Sequence, residues 1–105
     1  MTAPDFEEAV TRGKAQWFTS FKHDSASEEL IIGLTHDPEH SATQRVLEFH
    51  EVRDMEQHWM DRDDECMEAL ISAEQEGDSV FRYLLVTDQR EIEFRAGSRA
   101  LIYDV

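Results

Sequence analysis

Residues 79–104 read SVFRYLLVTDQREIEFRAGSRALIYD, and this stretch decides the fold. It holds three runs with strand-like composition, Ser79–Thr87, Glu91–Arg95 and Arg99–Asp104, separated by the short polar links DQR and AGS. A parallel connection between neighbouring strands needs a dozen or more residues, so links this short require antiparallel pairing. The stretch therefore predicts a three-stranded β-meander at the C-terminal end of the chain.

The N-terminal half predicts further strands of the same kind. Gln16–His23 and Glu28–His36 flank the polar turn DSAS and predict an antiparallel hairpin. Thr43–Val52 alternates between two sets of side chains, as a strand does. Before these strands, Thr2–Gly13 predicts a short helix, because Pro4 suits a first helical turn and a glycine can end a helix.

A longer helix is predicted between these strands and the meander. In residues 61–77 the apolar side chains fall on one broad stripe at a turn of about 100° per residue. The stripe consists of Cys66, Met67, Leu70, Ile71 and Ala73. Asp61 or Asp63 can cap the first turn, and Gly77 can end the helix. Residues 55–60, MEQHWM, alternate like a strand but would also suit a turn that leads into the helix.

Together these patterns predict a single α+β domain over residues 1–105. The chain is near the usual domain length and is long enough to enclose one core. We expect a mainly antiparallel sheet of five to seven strands, with the amphipathic helix 61–77 packed on it and the short helix at the N-terminus. The side chains expected to point inward are Trp17, Phe49, Phe81, Tyr83, Leu85, Ile92, Phe94 and Ile102.

Acidic residues are concentrated between residues 48 and 78. This stretch contributes ten of the fourteen net negative charges, because it holds twelve acids against two bases, Arg53 and Arg62. Such a field repels phosphate groups and attracts cations, so it argues against nucleic-acid binding and favours a basic protein partner. The candidate partner-binding residues in this stretch are Asp61, Asp64, Glu65, Glu68 and Glu76.

The leading functional hypothesis is therefore a small non-enzymatic binding module that needs no cofactor. An inhibitor of the immunity or antitoxin type would be one instance, because such a protein can block a nuclease by placing carboxylates where phosphates would bind. That instance rests on analogy of class. The acidic stretch would also suit a solvated surface that has no partner. A salt-rich habitat would produce a similar excess of acids, but would spread them more evenly along the chain.

An enzymatic alternative rests on three of the five histidines. His36 and His40 have the spacing of a metal-binding pair on a helix, and His50 could join them from a neighbouring strand as a third ligand. Pro38 lies between the first two in a stretch with loop composition, which argues against that geometry. The second hypothesis is therefore a small metal-dependent or carboxylate-using enzyme centred on these histidines. The binding-module hypothesis, in contrast, predicts no tightly bound structural metal.

Composition also bears on location and self-association. No apolar run approaches the roughly 20 residues that a membrane-spanning helix needs, and the first ten residues carry acids where a signal peptide carries bases. A single cysteine, Cys66, fits a reducing compartment. We therefore expect a soluble cytoplasmic protein without membrane contact. A strand as apolar as ELIIGL, residues 29–34, would favour a homodimer at an open sheet edge, although the net charge opposes one.

Overall fold

A computed structural model describes residues 6–40, 42–60, 67–76 and 81–105. These residues form one α-helix, α1 (Phe6–Thr11), a single 3-10 turn (Pro38–His40) and eight strands. The strands are β1 (Gln16–Asp24), β2 (Glu29–Thr35), β3 (Arg45–Phe49), β4 (Arg53–Trp59), β5 (Ala69–Glu76), β6 (Phe81–Thr87), β7 (Arg90–Ala96) and β8 (Leu101–Asp104). All eight belong to one antiparallel sheet in the order β4-β7-β6-β5-β1-β2-β3-β8.

The sheet consists of two four-stranded halves that join through a short seam. We call β4, β7, β6 and β5 the β6 half, and β1, β2, β3 and β8 the β2 half. The halves are paired in register only at Gln16 with Leu70 and at Trp17 with Ala69. One more backbone hydrogen bond, from Phe18 N to the carbonyl oxygen of residue 68 at 2.8 Å, extends this seam. Neighbouring strands within a half pair over more residues, so the seam is the narrowest connection in the sheet.

The inner faces of the two halves enclose one core. Phe49 of β3 lies with its ring centroid 4.9 Å from that of Tyr83 on β6 and 4.8 Å from that of Phe94 on β7. Because β3 is four places away from β6 in the strand order, this contact requires the sheet to fold over on itself. The helix α1 adds Phe6, 5.1 Å from Tyr83, and a fully buried Val10.

The strand predictions for the core are largely confirmed. β6 and β7 alternate buried and more exposed residues along their lengths, and of the eight predicted inward side chains six are buried. Trp17 is only half-buried, because its neighbour Phe18 points into the core in its place, and Ile102 packs against the edge of the core. The predicted hairpin of β1 and β2 is also confirmed, and so is the short N-terminal helix over Phe6–Thr11; residues 2–5 of that prediction lie outside the described residues.

The predicted helix 61–77 is wrong over the part of it that the structure describes. Residues Ala69–Glu76 form β5, which pairs with β6 from Leu70–Thr87 to Glu76–Arg82. The same apolar residues also suit a strand in which every second side chain points inward. In β5, Ala73 is buried, whereas Ile71, at an irregularity of the strand, is 61% exposed. Pairing with β6 outweighs local helix propensity here. Residues 61–66 and 77 lie outside the described residues.

The C-terminal meander is wrong in its third strand. β6 and β7 form the expected hairpin, but β8 crosses over and pairs with β3 at the other end of the strand order. Where β7 ends, Gly97 N donates a hydrogen bond to His50 O at 3.2 Å, and a Cβ on Gly97 would collide with the side chain of Glu51. This close approach places the end of β7 against the β3–β4 corner, and the chain then continues into β8, which pairs with β3 and not with β7.

The strand order answers two further expectations, one about residues 55–60 and one about the apolar run 29–34. The sequence left residues 55–60 open between strand and turn; in the structure they belong to β4 up to Trp59. With β4 the sheet has eight strands, whereas five to seven were expected. The apolar run 29–34 lies in β2, between β1 and β3, and forms no sheet edge. Among the described residues, no helix is long and apolar enough to cross a membrane.

Candidate binding surface

The outer face of the β6 half carries a row of carboxylates. Glu56 of β4 lies directly opposite Glu93 of β7. Continuing across the sheet, Leu84 of β6 separates Glu93 from Glu74 of β5. Residues that are directly opposite in a sheet share a face, so these four side chains form one row across the strands. Like charges placed opposite each other destabilise a sheet, and Glu56 and Glu93 are such a pair.

Arginines form the neighbouring row and neutralise only part of this charge. Arg82 and Arg95 lie opposite each other on β6 and β7. Arg82 pairs with Glu93, and because Glu93 accepts its hydrogen bond the pKa of Arg82 is raised above its ordinary value. Arg95 lies 3.9 Å from a carboxylate oxygen of Asp54. Both arginines therefore already have acidic neighbours within the chain.

Two other acids of this face make no such contact. Within the described residues, the carboxylates of Glu74 and Glu91 have no ion pair or hydrogen bond, and both residues are exposed. Glu76 is also exposed and lies opposite Arg82. We call this surface the acidic face. Its members are Glu56, Glu74, Glu76, Glu91 and Glu93. A shallow depression crosses it between β5, β6 and β7.

One border of the acidic face is the open edge of the sheet at β4. β4 pairs with β7 on one side and has no strand on the other in the described part of the chain. Six of its seven residues are exposed, and Trp59 at its end is 61% exposed. Side chains alternate along it, so Glu56 and His58 belong to the outer face whereas Gln57 and Trp59 point to the inner side.

A buried ion pair lies behind this edge. Arg90, at the start of β7, donates from Nε to Glu68 Oε2 at 2.7 Å and from Nη2 to Glu68 Oε1 at 2.9 Å. Its Nη1 donates to Gln57 Oε1 at 2.6 Å. The guanidinium lies between two rings, with its Cζ 4.2 Å from the centroid of Phe21 and 4.4 Å from that of Trp59. Both charged side chains are close to fully buried, at 7% and 11% exposure.

The turn between β6 and β7 completes this cluster. The hydroxyl of Thr87 donates to Glu68 Oε2 at 2.6 Å, and its oxygen accepts hydrogen bonds from the backbone N–H groups of Gln89 and Arg90. Met60 N donates to Gln89 O at 2.8 Å, which attaches the end of β4 to the same turn. The cluster therefore links β1, β4, β6 and β7 with the residue that precedes β5.

The partner-binding residues predicted from the sequence do not share one environment in the structure. Asp61, Asp64 and Glu65 lie outside the described residues. Glu76 is exposed at the end of β5 and belongs to the acidic face. Glu68 instead directs its carboxylate to Arg90, 22 residues further along the chain. The two described candidates thus lie at opposite ends of β5, one exposed and one enclosed.

The three histidines of the enzymatic alternative are not all brought together. His36 follows the end of β2, whereas His50 follows β3 and lies beside the start of β2, so the length of the hairpin, about 20 Å, separates them. His40 lies in the 3-10 turn near His36. His50 Nε2 lies 2.7 Å from Glu48 and its Nδ1 lies 3.5 Å from Glu29. No group of three or more potential metal ligands occurs among the residues with described positions.

Two features of this surface were missed by the sequence reasoning. Arg90 was assigned to a turn, and nothing local indicates that its side chain is buried beside Glu68. Trp59 and Gln57 belong to a stretch whose strand-like alternation was noted, and that alternation was the available signal for the β4 edge.

Comparisons with known proteins identify no relative of this chain. The chain matches no protein-family model, no curated protein sequence and no solved structure. The fold and the functional hypotheses therefore rest on the residues and contacts described above.

Proposed function

We propose that this protein is a non-enzymatic binding module that engages a basic protein partner through the acidic face of the β6 half. The observation that carries the proposal is the direct opposition of Glu56 and Glu93, together with Glu74 and Glu91, whose carboxylates make no ion pair or hydrogen bond in the described part of the chain. An arrangement that weakens the isolated sheet becomes favourable once lysine or arginine side chains of a partner lie against it.

Long-range attraction would bring the partner to this face. The chain carries a formal net charge of −14, so a cationic protein is steered towards it and an anionic one is repelled. Exposed charges act mainly on the rate of association and on the choice of partner, and they are screened by salt over about 8 Å near physiological ionic strength. The expected signature is an association rate that falls steeply as salt is added.

The acids predicted from the sequence extend this proposal along the chain. Asp61, Asp64 and Glu65 follow β4 directly and precede β5, so they connect two strands of the same half. We include them with Glu76 as partner-binding residues. Glu68 contributes by holding Arg90 in place, since its carboxylate already has three hydrogen-bond donors. An inhibitor of the immunity or antitoxin type, acting in the cytoplasm on a basic enzyme, is one instance of such a module.

The test compares two charge-reversed variants that have the same net charge. Glu74→Lys with Glu91→Lys changes the acidic face, whereas Glu8→Lys with Glu39→Lys changes exposed acids on α1 and in the 3-10 turn. Immobilised wild-type protein is used to isolate basic proteins that salt releases from an extract of its source cells. The association rate of an isolated partner is then measured by stopped flow for each variant.

We expect the first variant to associate about tenfold or more slowly than wild type and the second to stay within a small factor of it. Circular dichroism checks that both remain folded. Equal slowing of both variants would assign the effect to net charge alone. A rate that neither salt nor the first variant changes would show that the acidic face is a solvated surface, and the proposal would then be wrong.

A further inference from the structure

The open edge of β4 has backbone groups directed away from the sheet. Met60 N donates towards the β6–β7 turn, so the backbone N–H and C=O groups of His58 and Glu56, two and four residues earlier, face β7 as well. Those of Gln57 and Trp59 point the opposite way, because successive residues of a strand alternate in direction. In the described part of the structure no strand lies beside them.

From Glu56 to Trp59 this edge lacks the usual protection against an added strand. Natural edge strands are commonly shortened, bulged, or provided with lysine, proline or an inward-pointing charge. β4 has an irregularity between Arg53 and Glu56, but from Glu56 to Trp59 it pairs regularly with β7, and its inward side chains Gln57 and Trp59 are uncharged. β8, at the other edge, has only four residues, and the Arg45 and Arg12 side chains hold its Asp104. The two edges are thus protected to different degrees.

The side chains of β4 specify what an added strand would carry. On the outer face its residues would lie beside Glu56 and His58, with Glu93 and Glu91 of β7 next in line. Lysine or arginine would complement these positions. On the inner side they would lie beside Trp59, which exposes 61% of its surface while Arg90 holds one part of the ring. Valine, isoleucine or an aromatic residue would cover that surface.

We propose that β4 binds an extended segment of the partner by strand addition, and that this segment alternates basic and apolar residues. The inference rests on the proposed function and adds the mode of binding: hydrogen bonds to Gln57 and Trp59 supply the affinity, and the alternation supplies the specificity. The charge of the outer face selects a basic segment, and Trp59 selects the apolar positions. The Arg90–Glu68 pair keeps Trp59 and Gln57 in position for this contact.

The first test uses wild-type protein and two synthetic peptides of equal charge. One alternates lysine and valine; the other has a central valine replaced by proline, which removes a backbone donor and disfavours a paired strand. We expect the alternating peptide to bind about tenfold or more tightly. On its binding, the amide hydrogens of Gln57 and Trp59 should become slow to exchange, whereas those of Ile102 and Asp104 on the open edge of β8 should not change.

The second test uses a matched pair of variants. Gln57→Ala removes the side chain that bonds to Arg90, and Gln57→Pro removes the same side chain together with the outward N–H, a substitution that an edge strand can accommodate. Gln57→Pro should lower affinity for the alternating peptide about tenfold relative to Gln57→Ala. If Gln57→Pro does not fold, the exchange measurement on wild-type protein decides.

The outcomes separate this inference from the proposed function. If both peptides bind equally and salt releases both, strand addition is wrong while the acidic face still binds cations. If the alternating peptide binds without protecting Gln57 and Trp59, or protects β8 instead, strand addition at β4 is wrong. If neither peptide binds, strand addition is again wrong, and the partner measurement with the Glu74→Lys and Glu91→Lys variant judges the acidic face independently.

Discussion

The two halves of the sheet are held together by two regions of opposite chemistry. At α1 the contact is apolar: Phe6 lies against Tyr83 and Phe49, and Val10 is fully buried. At Arg90 the contact is charged: the guanidinium, paired with Glu68 inside the β6 half, lies with its Cζ 4.2 Å from the ring centroid of Phe21 on β1. Apolar packing tolerates changes of shape, whereas a buried charge is stable only while its partner is present. The region next to the β4 edge is therefore the less tolerant of the two.

The largest effect is expected from breaking the charged region. Glu68→Ala should lower the free energy of unfolding by about 3–5 kcal/mol, because Arg90 then stays buried without its carboxylate. Urea unfolding measures the change. The double variant Glu68→Leu with Arg90→Met removes both charges and should recover much of that loss. A double variant as unstable as Glu68→Ala would show that the pair stabilises more than it costs to bury.

A smaller effect is expected at the apolar region. Phe6→Leu keeps an apolar side chain between the halves but removes the ring contacts with Tyr83 and Phe49. We expect the free energy of unfolding to fall by about 1 kcal/mol, since ring pairs add that much beyond their buried area. Urea unfolding again provides the value. A loss as large as that of Glu68→Ala would contradict the difference drawn between the two regions.

The smallest effect is expected at an ion pair whose carboxylate is exposed, Arg45 with Asp104, where the comparison with the buried carboxylate of Glu68 isolates the effect of burial. Arg45 donates to Asp104 and holds the pKa of that carboxyl below its ordinary value of 3.8. The ionised form is therefore favoured in the folded protein, so the stabilisation is present at neutral pH and is lost as the pH falls through the lowered pKa. Asp104→Asn should be slightly less stable than wild type at neutral pH.

The pH dependence provides the control for this substitution. The difference in urea midpoint between wild type and Asp104→Asn should shrink as the pH is lowered below about 4, because wild-type Asp104 then also becomes neutral. A difference that persists unchanged at low pH would assign the effect to the shape of the side chain and not to its charge.

Local sequence patterns predicted those parts of the fold that depend on near neighbours. The β6–β7 hairpin follows from the short DQR link, and α1 follows from its terminal residues. Helix 61–77 failed because Leu70, Ile71 and Ala73 suit either period, and the choice was made by pairing with β6. β8 failed for a similar reason, since it pairs with β3, which lies roughly half the chain away in sequence, and Gly97 makes a close approach to the β3–β4 corner.

The candidate binding surface was also predicted only in part from the sequence. Net charge and its concentration were readable from composition, and Glu76 is indeed exposed. The contribution of the β7 acids could not be predicted from composition. Glu91 and Glu93 lie outside residues 48–78, and only strand pairing brings them next to Glu56 and Glu74. Nor could the sequence show that Glu68 is enclosed, since its partner Arg90 is brought to it by the fold.

The strand order also bears on how the chain reaches its native state. The β1–β2 and β6–β7 hairpins join residues that are close in sequence, so their loops close at little entropic cost. The β1–β5 seam and the β3–β8 pair, which brings Leu101 to Glu48, each span roughly half the chain. Distant pairing of this kind slows folding to milliseconds or longer. We therefore expect two independent hairpins to form early and the narrow seam to form late.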